Sequence, residues 1–130
     1  MSDGHPTRDT RYHDQKALTL LELALQLHGD FRRRLTPLHV TPLQAGVILY
    51  LHRHPEAKLK EPAAALGLKP PTLAVVIQDL VRKRWVTKRR ALHDERALCL
   101  RLSRQGEVLV QKITERIRDI RSNLMFEKET

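Results

Sequence analysis

Between Arg82 and Arg104 the chain carries nine basic side chains, Arg82, Lys83, Arg84, Lys88, Arg89, Arg90, Arg96, Arg101 and Arg104, against two acidic ones, Asp94 and Glu95. The chemistry open to such a cluster is electrostatic. Guanidinium and ammonium groups pair with phosphate oxygens and release the counterions condensed on a polyanion. A charge run alone is more often a solvated face, so its meaning depends on the elements beside it. Seven histidines raise metal binding. His52 and His54 are two residues apart, which on a helix directs them to different sides, and Pro55 breaks the turn that follows. No other His, Cys or acidic pair has a zinc-ligand spacing, so no metal or other cofactor is expected. Cys99 reads as a small half-buried hydrophobe in a strand rather than as a redox sensor. There is no nucleophile elbow, phosphate loop or dinucleotide fingerprint, and no enzyme is expected.

The composition points the same way as the basic cluster. With 130 residues the chain is long enough for one hydrophobic core and too short for two ordinary domains. Lys and Arg number 24 and Asp and Glu 15, a formal charge of +9, which favours a polyanionic partner, nucleic acid or an acidic membrane surface. No apolar run approaches the roughly 18 to 20 residues that span a bilayer. The opening MSDGHPTRDT has no apolar stretch of the kind that begins a signal peptide, and one cysteine excludes an internal disulfide. A cytoplasmic protein without a membrane partner is expected. Aromatics are 4% of the chain, too few for the stacking platforms that hold single strands, so double-stranded DNA is the expected partner.

Residues 1–13 are polar and broken by Gly4 and Pro6, which predicts a mobile arm. From 14 to 35 the pattern is helical, but Leu18, Leu20, Leu21, Leu23, Ala24, Leu25, Leu27 and Phe31 cover more than one face, and such a helix must bury more than one side. Thr41, Pro42 and Gln44 form a capping-box start for a helix with the stripe Leu43, Val47, Ile48 and Leu51, ended by His54 and Pro55. EPAAALG predicts a short helix with Pro62 in its first turn and Gly67 just past its end. A next helix opening at Pro71, with Leu73, Val76, Ile77 and Leu80 at helical spacing, completes a helix-turn-helix, the second helix of which enters the major groove. Its outward positions include Thr72, Ala74, Val75, Gln78, Asp79 and Arg82. Strands are expected at 85–90 and 97–102, where Leu98, Leu100 and Leu102 share one face. A last helix from about Arg104 carries Val110, Ile113, Ile117, Ile120 and Leu124 in a heptad seam. That seam packs either on the chain's own core or on another subunit. The surplus apolar surface of the first helix, Leu21 and Leu25 included, favours the second, hence a homodimer.

A helical N-terminus, a helix, a helix-turn-helix, a hairpin and a long last helix make a mainly α chain with a small two-stranded β wing. The chain resembles the multiple-antibiotic-resistance regulator (MarR) family of bacterial winged helix-turn-helix transcription factors over about residues 14–125. The motifs are LTPLQ before the first core helix, ALGL at the turn, and WVTKRRALHDERALCLRLSRQG through the wing. Within the last, Asp94-Glu95-Arg96, an alternating strand and LSRQG are similar to that family's Asp-x-Arg, strand, Leu-Thr-x-x-Gly.

The resemblance implies a dimeric repressor with the winged helix-turn-helix at about 41–103 and dimerisation helices at about 14–35 and 104–126. It also implies DNA contacts from Lys69 through the recognition helix to Lys88, Arg89 and Arg90. Arg96 enters the minor groove and Asp94 orients it. A small apolar or aromatic effector binds between the dimerisation and DNA-binding lobes. The other reading is a winged-helix module that has lost sequence reading and docks a protein partner. Three positions depart from the family. Ala74-Val75 stands where relatives commonly have Thr-Arg, and reads either as a pair of thymine-methyl contacts or as plain helix surface. Lys69-Pro70-Pro71 lacks the polar cap, and Arg84 replaces a glycine, where a left-handed residue costs roughly 1 kcal/mol.

Overall fold

The structure, a computed structural model, describes residues 8–91 and 94–129, with side chains at 14–90 and 98–120. Helix α1 runs over Arg8–Leu35 and is followed by a 3₁₀ turn at Thr36–Leu38. The helix therefore begins six residues earlier than the expected residue 14. RDTRYH, residues 8–13, holds neither Gly nor Pro and continues the helix towards the N-terminus, while 1–7 lie outside the described residues. Helix α2, Pro42–Arg53, starts on the expected capping box. Gln44 N–H donates to Thr41 Oγ1 and Thr41 N–H to Gln44 Oε1, both at 3.1 Å. Strand β1, Ala57–Lys58, precedes helix α3, Glu61–Leu66, which ends on left-handed Gly67 at φ 66°.

Helix α4, Pro70–Arg82, begins one residue before the expected Pro71. Lys69 holds the cap position without a side-chain bond, as its chemistry dictates. Both prolines occupy the first turn, where backbone N–H groups have no helical acceptor to lose. Strands β2, Val86–Ala91, and β3, Asp94–Leu102, form the hairpin, and helix α5 spans Arg104–Glu129. The sheet has three strands rather than two, in the antiparallel order β1-β3-β2. Two residues of β1 pair Ala57 with Leu100 and Lys58 with Cys99, a segment too short to show alternation in the sequence.

The core is built where the stripes of these elements meet. Val47 and Ile48 of α2, Leu80 of α4, Leu100 of β3 and Ile113 of α5 have no exposed surface, and Leu35, Leu51, Ile77 and Val86 are nearly as buried. Each fully buried Leu or Ile contributes ~1.5–3 kcal/mol. This corrects the reading of the heptad seam. Val110 and Ile113 belong to the chain's own core, Ile117 packs partly against it, and Ile120 is buried within the single chain. Periodicity locates a buried face but not the chain that covers it. The side chain of Leu124 lies outside the described residues. Most of the large apolar side chains that one chain leaves more than half exposed are on α1, Leu18, Leu20, Leu21 and Leu25, while α5 leaves Val108 so. The C-terminal end of α1 is clasped to α5: Arg34 pairs with Asp119 and Arg116 donates from Nε to the Arg34 carbonyl.

Candidate nucleic-acid interface

Helix α4 buries Leu73, Val76, Ile77 and Leu80 and thereby turns Pro71, Thr72, Ala74, Val75, Gln78 and Arg82 outward, all of them exposed. Asp79, expected among the outward positions, faces inward. Its carboxylate accepts from the Gln44 amide of α2 and pairs with Arg82 at 3.2 Å and Lys83 at 3.5 Å. Gln44 thus closes the capping box of α2 and also fixes α4 to it. Thirty-five residues separate the partners, and no local pattern in the sequence joins them.

Past α4 the chain turns sharply into β2. Arg84 is left-handed at φ 65°, as its place in the glycine position predicts, and is held there. Its N–H donates to the Val81 carbonyl at 3.0 Å, and its carbonyl accepts from Ser103 Oγ at 2.6 Å. Ser103 is also the cap of α5: its Oγ accepts from Gly106 N–H at 3.0 Å, and its own N–H donates to the Trp85 carbonyl at 3.0 Å. Gly106 is required by this closeness, since a Cβ there would lie 2.3 Å from the Trp85 oxygen. The LSRQG motif is therefore the joint between α4, the hairpin and α5. Lys83 Nζ stands 5.0 Å over the Trp85 ring and donates to the His39 carbonyl at 3.2 Å.

The hairpin leaves the body of the protein at Leu100. That residue is fully buried opposite Lys88, whereas Leu98, two pairs further out opposite Arg90, is 44% exposed. Lys88, Arg89 and Arg90 are all exposed on the projecting part. Between Arg90 and Ala91 the register shifts, Arg90 pairing with Leu98 and Ala91 with Asp94, so the irregularity on β3 falls at residues 95–97. The backbone of Asp94 and Arg96 lies in β3, while their side chains, and with them the expected orienting pair, lie outside the described residues. The hairpin is braced from behind by Glu56, itself left-handed at φ 67°. Its carboxylate accepts from Cys99 Sγ at 3.1 Å and pairs with Arg101 at 3.5 Å. Acceptance of the S–H by Glu56, with burial, pushes the Cys99 thiol above its ordinary pKa, which disfavours the reactive thiolate.

Sequence reasoning missed two exposed cations that the third strand brings to this end of the molecule, Lys58 in β1 and Lys60 after it. The expected separation of His52 and His54 is seen: His52 Nδ1 lies 2.8 Å from Glu107 Oε2 and His54 stacks on Tyr50. Among the described residues no three His, Cys, Asp or Glu side chains group as metal ligands, and no helix is long and apolar enough to cross a membrane. A cleft of about 540 Å³ opens between the 3₁₀ turn, Trp85 and the start of α5, lined by Leu38, His39, Arg104, Val108 and Lys112 among others.

A family model described as the MarR family matches residues 39–97. No curated protein matches the chain in sequence. Solved structures share its fold. One is the transcriptional repressor CouR bound to a 23-mer DNA duplex, 22% identical, covering 85% of this chain and 87% of that one with a TM-score of 0.72. Apo MarR from E. coli is 18% identical over 85% of this chain and 82% of that one, TM-score 0.76. A single-residue mutant of MepR from S. aureus, bound to an oligodeoxyribonucleotide, is 20% identical over 85% and 81%, TM-score 0.65.

Proposed function

We propose that this chain, whose residues 39–97 match the MarR family model, is a member of that family and a cytoplasmic transcriptional regulator that binds duplex DNA as a homodimer and acts as a repressor. The observation that carries this reading is the joining of an exposed recognition helix to a projecting basic hairpin through the Arg84–Ser103–Gly106 joint. The helix supplies a face for the major groove and Lys69 and Arg82 at its ends. Lys88, Arg89 and Arg90 supply phosphate contacts. The narrow minor groove has the most negative potential, and Arg96 at the wing is placed in sequence to enter it. Asp94 offsets the entropy lost when so long a side chain is fixed. The exposed leucines of α1 form the subunit contact, since a chain this small does not keep four large leucines in water unaided. An apolar or aromatic effector fits the cleft at Trp85, where it would touch both the α4–β2 corner and α5.

A gel shift on promoter fragments from the surrounding genome tests the reading, with wild type, Arg96→Ala and Asp94→Ala in parallel. Arg96→Ala should weaken binding by ~1–3 kcal/mol. Asp94→Ala should also weaken it, although it removes a negative charge that bulk attraction to DNA would favour losing. Tighter binding by Asp94→Ala, or no effect of Arg96→Ala in a folded protein, overturns the wing's role and favours protein docking.

A further inference from the structure

The outward face of α4 is uncharged along its first nine residues. Pro70, Pro71, Thr72, Ala74, Val75 and Gln78 are its exposed members, and Val75, at 66% exposure, is the most exposed large hydrophobic side chain among the described residues. In helix-turn-helix docking, the N-terminal part of the recognition helix lies against base edges. Guanine is most often read there by an Arg or Lys fork on O6 and N7. No Arg or Lys stands within these nine residues: Lys69 precedes the helix, and Arg82 stands one turn beyond Gln78. What an aliphatic side chain recognises in the major groove is the one apolar group that base pairs expose there, the 5-methyl of thymine. The surrounding cations, Lys69, Arg82 and the Lys88–Arg90 run, fit a polyanion around that apolar spot.

We infer that Val75, with Ala74 beside it, is the specificity-determining contact of α4 and packs on thymine methyl groups, so that the sites bound carry A·T pairs beneath this helix. Gln78, one turn on, is placed to read the N6 and N7 of an adenine. The inference rests on the DNA-binding reading and adds to it which base is read and by which side chain.

Selection of duplexes from a random pool by the full chain supplies the probe, and each thymine of the tightest duplex is then replaced by deoxyuridine, which removes the methyl and leaves base pairing unchanged. Wild type should lose about four-fold in affinity per contacted methyl, the burial of one methyl carbon, at one or two thymines in each half-site. Val75→Ala should lose most of this discrimination at the thymine that position 75 contacts, whereas a thymine contacted by Ala74 keeps its own. Because Val75 is largely exposed, the variant keeps the wild-type unfolding midpoint, which is measured alongside. Indifference of wild type to every replacement, with salt-sensitive binding retained, overturns the inference and leaves the DNA-binding reading standing. Discrimination undiminished at every thymine in Val75→Ala also overturns it. If no duplex is retained even at low salt, the DNA-binding reading itself fails, and the apolar face of α4 is a protein-docking surface.

Discussion

Gly106→Ala tests whether the joint between α4, the hairpin and α5 is as tight as its geometry states. In an ordinary helix this change stabilises, because alanine loses less backbone entropy than glycine, by ~0.5–1 kcal/mol. Here the added Cβ would lie 2.3 Å from the Trp85 carbonyl oxygen and 3.2 Å from Leu102 Cδ2. The first of these is backbone and cannot swing aside. That carbonyl also accepts the Ser103 N–H at 3.0 Å, so a shift that relieves the clash weakens the cap of α5. Overpacking of this kind costs about 1–3 kcal/mol. Set against the entropic gain, the net expectation is a loss of ~1–2 kcal/mol. Gly46→Ala in the middle of α2 is the control: its Cβ would meet only Leu66 methyls, at 3.8 and 3.9 Å, which is ordinary contact. It should stabilise by ~0.5–1 kcal/mol. Urea denaturation at one protein concentration reads both as midpoint shifts at constant slope. Opposite signs are predicted. A Gly106→Ala protein at least as stable as wild type would refute the close approach and the role given to the LSRQG motif.

Asp79→Ala should leave the buried Gln44 amide without its acceptor and cost ~1–3 kcal/mol, while Asp79→Asn, which keeps an oxygen there, should cost less; equal losses would show that the bond to Gln44 is not what Asp79 supplies. Leu25→Glu lies on surface that a single chain leaves open, so sedimentation should find a folded monomer, whereas Ile113→Glu should unfold the chain by burying a charge in its core; a dimeric Leu25→Glu protein would remove α1 from the interface. The Arg34 guanidinium holds the Asp119 carboxyl below the ordinary carboxylate range. Its folded pKa is below the unfolded one, so the stabilisation is present above the unfolded value of ~4 and is lost as pH falls through the folded value. Asp119→Asn should therefore be less stable than wild type near neutrality, with the gap closing in acid; a gap that persists unchanged there would exclude the carboxylate as its source.

Features set by neighbours in the chain were legible in the sequence. Thr41 and Gln44 are three residues apart and form their capping box, and Gly67 takes the left-handed turn; positive φ at Arg84 was implied by the resemblance to a family that has glycine there. Features set by distant partners were not. Asp79 reads as an outward residue by its helical angle, and only the folded chain brings Gln44 to it. Strand β1 exists because β3 offers it an edge, not because two residues have a strand pattern. The α5 seam is a true buried stripe, but a repeat of apolar residues does not say whether the covering atoms belong to the same chain, and Val110 and Ile113 find theirs at home. The departure at Ala74-Val75 was visible as a departure. That its apolar face is exposed required the packing of α4.

The central claim, that the basic hairpin and α4 engage the phosphates and grooves of duplex DNA, is tested most directly by the dependence of binding on salt. The logarithm of the association constant, measured with a selected duplex against the logarithm of salt concentration, should fall steeply, by ~0.9 for each phosphate neutralised. With Lys88, Arg89 and Arg90 all replaced by alanine, the slope should become shallower by roughly three. A slope near zero, or one that the triple replacement leaves unchanged in a folded protein, would contradict the account.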